Sequence, residues 1–163
     1  MAQSGTPSGK ETDARYHYNR GNMRLLQGDW DGAIAGCTAA LKINPKYSEA
    51  YYVRGIARNE KADRKGALSD FTMAIKYNPK HTESYCERGL VRTIVRDHRG
   101  AIADFNMALE INPKYAKAYY GRGIAKNERG DKEGAKQDIE WVLKNSADIE
   151  LKEKAQKALK LIR

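Results

Sequence analysis

A fixed repeat period is the feature that most constrains how this chain can fold. The tripeptide Asn-Pro-Lys occurs at residues 44–46, 78–80 and 112–114, so its position advances by the same step each time. The dipeptides Arg-Gly and Gly-Ala and a single Asp recur with that same step. Such a period indicates a fold in which copies of one short unit stack side by side. Four copies are predicted, at residues 14–47, 48–81, 82–115 and 116–147.

Each copy contains two helical patterns separated by a short polar break. The break carries an aspartate in every copy, namely Asp29, Asp63, Asp97 and Asp131. Aspartate favours the N-cap position, because its carboxylate accepts hydrogen bonds from the first amides of the following helix. The second pattern stops at Asn-Pro, since proline has no amide hydrogen and holds the preceding residue out of helical geometry. Each copy is therefore predicted to be a helical hairpin.

The copies resemble the tetratricopeptide repeat. The resemblance rests on the spacing, the Gly-Asp break, the Gly-Ala pair, the aromatic residues Phe71 and Phe105, and the terminal proline. The chain departs from the family where arginine replaces an early leucine in every copy, and where Ala147 replaces the last proline. The resemblance implies an all-α fold, a right-handed superhelical solenoid of helix-turn-helix repeats.

The regions outside the four copies are short. A length of 163 residues favours one compact domain, and the small polar residues 1–13 predict a flexible tail. Residues 148–163 have the pattern of an amphipathic helix, with lysines away from its apolar face. That face carries Leu151, Ala155, Ala158, Leu159 and Ile162. We expect this helix to cap the apolar surface that the last copy leaves open.

The resemblance also implies a concave face lined by the first helix of each copy. The residues predicted to form a peptide-binding groove there are Tyr18, Asn19, Asn22, Tyr52, Ile56, Asn59, Cys86, Leu90, Thr93, Tyr120, Ile124 and Asn127. Rigid tyrosine rings supply contact area, and asparagine amides both donate to and accept from a peptide backbone. In the alternative interpretation, several of these side chains only pack between neighbouring first helices.

A row of paired cations also follows the period, and it has two interpretations. In each copy an arginine is followed four residues later by a second cation: Arg20 by Arg24, Arg54 by Arg58, Arg88 by Arg92 and Arg122 by Lys126. In the structural one, three arginines each pair with an aspartate of the second helix at a constant separation in the sequence: Arg54 with Asp70, Arg88 with Asp104 and Arg122 with Asp138. The first copy has Gly36 at the aspartate position, which leaves Arg20 without this partner. In the functional interpretation, the row binds phosphates or an acidic protein. The constant separation favours the structural interpretation for the first cation of each pair, whereas the second cations stay open to either interpretation.

Charge and motif patterns disfavour two kinds of ligand. The net charge of +9 is spread over the chain without a nucleic-acid motif, so nucleic-acid binding is disfavoured. Some tetratricopeptide proteins grip the acidic C-terminus of chaperones with a carboxylate clamp of Lys, Asn and Arg. Of that clamp only Asn22 matches here, because Tyr18, Val53, Glu83 and Glu87 stand at the other positions. A chaperone tail held by this clamp is therefore disfavoured.

No pattern predicts catalysis, a cofactor or a metal. The three histidines stand at different repeat positions, and Cys37 and Cys86 lack metal-ligand spacing. No apolar stretch is long enough to cross a membrane. Residues 1–13 lack the apolar core of a signal peptide, which favours the cytoplasm over export, although a mature chain whose signal had been removed could begin in the same way.

These patterns together predict a non-catalytic protein-interaction module or scaffold. It is expected to bind a peptide segment or a helix of a partner along the concave face. The first alternative is a self-associating scaffold, in which the first copy, with Tyr16 and Tyr18 near its start, meets another copy of the chain. The second alternative is an electrostatic nucleic-acid binder.

Overall fold

The computed structural model describes residues 13–162, and over that range it contains nine α-helices and no β-strand. The predicted all-α fold of helical hairpins is therefore confirmed. Almost all of the predicted tail, residues 1–12, lies outside the described residues. Length alone predicts one compact domain, but the contacts divide the chain into two units at Pro79 and Lys80. The difference arises because repeats contact only their neighbours and need no single central core.

The first unit contains two antiparallel hairpins. The helices are α1 (Ala14–Leu26), α2 (Trp30–Ile43), α3 (Ser48–Glu60) and α4 (Arg64–Tyr77). Helix α2 packs against both α1 and α3, so the second hairpin continues directly from the first. One apolar core of this unit is built from Cys37, Ala40, Leu41, Ala50 and Val53.

The second unit contains two more hairpins and a final helix. The helices are α5 (Thr82–Ile94), α6 (His98–Ile111), α7 (Ala116–Glu128), α8 (Lys132–Asn145) and α9 (Ile149–Leu161). The first helices α5 and α7 are neighbours, and α9 takes the next place in that row, against both α7 and α8. Ala155 and Ala158 of α9 pack on Ile139 and Val142 of α8.

The repeated aspartates cap the second helix of each hairpin. The Oδ1 atom of Asp29 accepts a hydrogen bond from the amide of Gly32 at 2.8 Å, and the other three aspartates bond in the same way. A Cβ atom at Gly32 would collide with the Asp29 carboxylate. This contact explains the glycine of each Gly-Ala pair, which sequence reasoning leaves without a physical cause.

The Asn-Pro pairs end the second helices, as the sequence predicts. Helix α2 ends at Ile43, and Asn44 has the extended angles φ −123° and ψ 93° before Pro45. In the fourth copy, Ser146 has φ −74° and ψ 140°, so α8 also ends in an extended residue although no proline follows.

Helices α1 and α2 approach each other backbone to backbone. A Cβ atom at Gly36 would lie 2.7 Å from the Cα atom of Gly21. In the next hairpin, by contrast, Gly55 of α3 faces the ring of Phe71. The first hairpin therefore requires glycine at residue 36.

Candidate functional site

The row of cations is held in place by buried carboxylates in three of the four hairpins. Asp70 of α4 is 2% exposed and accepts hydrogen bonds from Arg54, from Nε at 2.9 Å and from Nη2 at 2.8 Å. Arg58 Nη1 donates to the same carboxylate at 2.8 Å. Fork-shaped pairs of this kind are both strong and geometrically specific. This hairpin therefore has one carboxylate clamped between two cations.

The same arrangement recurs twice in the second unit. Asp104 is bound by Arg88 and Arg92, and Asp138 by Arg122 and Lys126, with nitrogen to oxygen distances of 2.6–2.8 Å. Each fork-forming arginine also lies over the tyrosine three residues before it, which sequence reasoning missed although the spacing is visible. The pairs are Arg54 with Tyr51, Arg88 with Tyr85 and Arg122 with Tyr119. Each of these arginines is therefore held between a buried aspartate and a tyrosine ring of its own hairpin.

In the first unit, the two predicted groove tyrosines, Tyr18 and Tyr52, are half-buried and pack against the apolar core. The Tyr18 ring is 4.9 Å from that of Tyr47, and the Tyr52 ring is 6.1 Å from that of Phe71. Burial, together with the charge of Glu49, raises the pKa of Tyr18 above its ordinary value. Both tyrosines thus pack on the core with one side and reach the surface with the other.

The remaining predicted groove residues of this unit differ in exposure. Asn19 is exposed, while Asn22 and Ile56 are half-buried. Asn59 accepts hydrogen bonds from Arg64 through its backbone carbonyl and its side-chain oxygen. Arg64 therefore competes with any ligand for the Asn59 side chain.

In the second unit, the prediction for Cys86 is wrong. Its side chain is 0% exposed, so it belongs to the core and cannot line a groove. Cysteine is shorter than the tyrosine found at this repeat position in the other copies, and it therefore ends below the surface. Burial raises the pKa of the Cys86 thiol well above its ordinary value. Leu90 is half-buried, and Thr93 Oγ1 donates to the Gly89 carbonyl at 3.0 Å.

The other three predicted groove residues of this unit share one cleft with α9. Tyr120, Ile124 and Asn127 of α7 form one wall of a cavity of about 280 Å³. The opposite wall comes from Ala158 and Leu161 of α9 and from Ile162, the residue that follows this helix. We call this the α7–α9 cleft. Sequence reasoning treats α9 only as a cap and gives no sign that it completes a concave surface.

The α7–α9 cleft has an apolar floor and a charged rim. Leu161 is 80% exposed, although its neighbours Tyr120 and Ile124 pack partly against the core. Lys154 and Lys157 stand at the rim, and Lys154 is bound to Glu150 at 2.6 Å. The hydrogen bond to Glu150 raises the pKa of Lys154. The cleft can therefore accept an apolar side chain and place polar groups around it.

Metal-ligand clusters and membrane-spanning helices are both absent from the residues that the structure describes. Across residues 13–162, no three His, Cys, Asp or Glu side chains are grouped so that they could hold a metal ion. Within the same range, no helix is both long enough and apolar enough to cross a membrane.

Comparison with known proteins points to one family. The tetratricopeptide repeat model matches residues 14–47. No curated protein matches the sequence. Among solved structures, MamA residues 41-end from Desulfovibrio magneticus RS-1 is 19% identical, with TM-score 0.80, covering 96% of this chain and 85% of that one.

Two further structures carry the same fold. The Arabidopsis OM64 TPR domain is 26% identical, with TM-score 0.68, covering 76% of this chain and 99% of that one. The first TPR of Spaghetti (RPAP3), bound to the HSP90 peptide SRMEEVD, is 24% identical with TM-score 0.66. That alignment covers 71% of this chain and 89% of the Spaghetti chain.

Proposed function

Because this chain is a tetratricopeptide-repeat protein, we propose that it is a non-catalytic interaction module that binds a peptide segment or a helix of a partner protein. The binding surface is the face made by the first helices within each unit. In the second unit this face includes the α7–α9 cleft, and in the first unit it includes Tyr18, Asn22, Tyr52 and Ile56.

The observation that carries the proposal is the apolar α7–α9 cleft with an exposed leucine. Leu161 is exposed, so a partner that covers its side chain removes apolar area from water. This burial stabilises the complex by about 25 cal/mol per Å² of apolar area. Asn127 at the rim can bond both to an amide and to a carbonyl of a peptide backbone. The cleft thus offers an anchor for one apolar side chain and polar contacts beside it.

The relatives support peptide binding, while this chain's residues disfavour one particular ligand. The Spaghetti domain was solved with an HSP90 peptide, so this fold can hold a peptide. Here Val53 is buried, and Glu87 is bound to Lys117 at 2.5 Å, at positions where a carboxylate clamp needs polar or cationic groups. We therefore propose an apolar-anchored peptide and not an acidic chaperone tail as the ligand.

The test is selection from a phage library of random peptides, followed by affinity measurement on the full chain. Leu161→Gln removes the exposed anchor of the cleft, and it should weaken the selected peptides by about tenfold. Ile149→Gln is the matched control, because Ile149 lies on the same helix, is 75% exposed and is outside the cleft. Selected peptides that bind both variants as tightly as the unmodified chain would contradict the proposal.

Self-association is the second candidate function, and one observation favours it. On α1, Met23 and Leu26 are 60% and 80% exposed, and Tyr16 lies on the same helical face. A stripe of apolar side chains on the first helix is a surface that a second copy of the chain could cover.

A further inference from the structure

The first hairpin contains a cavity at the place where the other hairpins hold an aspartate. Gly36 stands at the same repeat position as Asp70 of the second copy. Gly36 lines a cavity of about 340 Å³ together with His17, Arg20, Arg24 and Asp29. Arg20 and Arg24 are the counterparts of the two arginines that clamp Asp70. The first hairpin therefore keeps the two cations and lacks the carboxylate between them.

The two arginines of this hairpin are more accessible than their counterparts. The side chain of Arg24 is 51% exposed and Arg20 is exposed, whereas those of Arg54 and Arg58 are 14% and 27% exposed. Arg24 bonds to Asp29 at 3.2 Å at the rim of the cavity. Among residues 13–162, Arg20 has no carboxylate within ion-pair distance, and its guanidinium lies 6.0 Å from the Tyr16 ring.

We propose that this cavity is a binding site for a single carboxylate, supplied by an aspartate or glutamate side chain of a partner protein. The second, third and fourth hairpins, which keep the aspartate, show the geometry that such a carboxylate would adopt. In the third hairpin, for example, an arginine fork binds the carboxylate on one side and a second cation binds it on the other. The side chains of Arg20, Arg24 and Asp29 together carry one net positive charge. One carboxylate balances that charge, whereas a phosphate dianion exceeds it.

The site cannot be filled by the chain's own residue 36. A side chain there would start from a Cβ only 2.7 Å from the Gly21 Cα atom and 2.8 Å from its nitrogen. The close contact of α1 with α2 therefore keeps the space open. The cavity lies in the first unit and shares no residue with the α7–α9 cleft, so either site can fail without the other.

The test is a titration of the full chain, labelled with ¹⁵N, with the peptide acetyl-Gly-Asp-Gly-amide. Saturable shifts of the Gly32 and Gly36 amides and of Arg20 Nε are expected, with a Kd of about 1 mM. The same peptide with Asn in place of Asp is the uncharged control and should leave these signals unmoved. No saturable shift with the Asp peptide, or equal shifts with the Asn peptide, would overturn the proposal.

Arginine variants separate this site from general charge attraction. Arg20→Gln with Arg24→Gln should weaken the Asp peptide by about tenfold or more, while the amide spectrum shows that the fold is kept. Arg96→Gln with Arg129→Gln removes the same charge from exposed positions of the second unit and should bind like the unmodified chain. Equal losses in the two double variants would mean attraction by net charge alone and would overturn the proposal.

Two further arms test the chemistry of the ligand. Arg20→Lys keeps the charge but removes the fork, so it should bind the Asp peptide several-fold more weakly than the unmodified chain. Inorganic phosphate is the second probe, and it should bind more weakly than the Asp peptide. Tighter binding of phosphate would reject a carboxylate as the ligand.

Discussion

Asp104 accepts two hydrogen bonds from the guanidinium of Arg88, at 2.9 and 2.7 Å, while only 3% of the aspartate surface is exposed. Arg92 donates a third bond to the same carboxylate at 2.8 Å. The carboxylate thus balances two cations that are themselves mostly buried. Helices α5 and α6 are tied together at this point by charge as well as by apolar contact.

Removing that carboxylate should be much more costly than removing one from the surface. Asp104→Ala removes the buried carboxylate that Arg88 and Arg92 share, and we expect the free energy of unfolding to fall by about 3 kcal/mol. Asp31→Ala breaks an ion pair with Lys61 whose side chains are 80% and 41% exposed, and it should cost less than about 1 kcal/mol. Urea unfolding measures both. Equal losses of unfolding free energy in the two variants would contradict a larger contribution from the buried carboxylate.

The turn between the two helices of each hairpin offers a stabilising substitution. Residues 28, 62, 96 and 130 share one repeat position, and all four have positive φ. Glycine stands at two of them, but Ala62 has φ 62°. Ala62→Gly should raise the free energy of unfolding by about 0.5–1 kcal/mol, because a side chain strains this conformation.

The control for this substitution is the same change inside a helix. Ala103 is exposed on α6, and Ala103→Gly should lower the free energy of unfolding by about 1 kcal/mol. Thermal or urea unfolding of the two variants distinguishes the effects. A loss of stability in Ala62→Gly would contradict the explanation from backbone strain.

The free energy of unfolding should depend on pH because Cys37 and Cys86 are buried. Burial raises the pKa of the Cys37 thiol to about 12 and that of Cys86 further still, from an ordinary value of 9.0. Above pH 9 the unfolded chain therefore loses these protons while the folded chain keeps them. The stability contributed by the neutral thiols is complete below pH 9 and falls as the pH rises towards 12.

The variant Cys37→Ala with Cys86→Ala should lack this dependence. Between pH 9 and pH 10, the unmodified chain should lose about 2 kcal/mol more stability than the double variant, because each thiol is more than half ionised in the unfolded chain over that range and stays protonated in the folded one. Urea unfolding at the two pH values supplies the comparison. Parallel losses in both proteins would show that the thiols ionise equally well in the folded state.

The apolar stripe on α1 predicts the mass of the protein in solution. If a second copy covers Met23 and Leu26, light scattering should give a mass that rises with concentration, and Met23→Gln with Leu26→Gln should abolish the rise. Ile94→Gln with Val95→Gln is the control, because both residues are exposed but lie at the C-terminal end of α5. A constant monomer mass for the unmodified chain would remove self-association as a function.

The hairpins and the ion pairs follow from the sequence because each depends on residues at a constant spacing. An aspartate at the break caps the next helix through its own local geometry, and a fixed separation along the chain places an arginine opposite its aspartate. Such local rules need no knowledge of how hairpins pack on one another. The ends of the helices are predictable for the same reason, since Asn44 and Pro45 act only on their own segment.

The groove is harder to predict because burial depends on the length of each side chain and on distant neighbours. Cys86 shares its repeat position with Tyr18, Tyr52 and Tyr120, yet it alone is fully buried. The α7–α9 cleft depends on how α9 lies against α7, and no pattern within α9 specifies that contact. The division into two units likewise reflects contact density, which periodicity does not measure.

The meeting of Gly21 with Gly36 limits how the hairpins can be exchanged. A designer who gives the first hairpin the aspartate of the others must also separate two helical backbones, so one substitution cannot complete the change. Helix α1 and helix α2 would have to be transplanted as a matched pair. Shuffled or consensus versions of this protein that treat the four hairpins as interchangeable modules should therefore fail first at this junction.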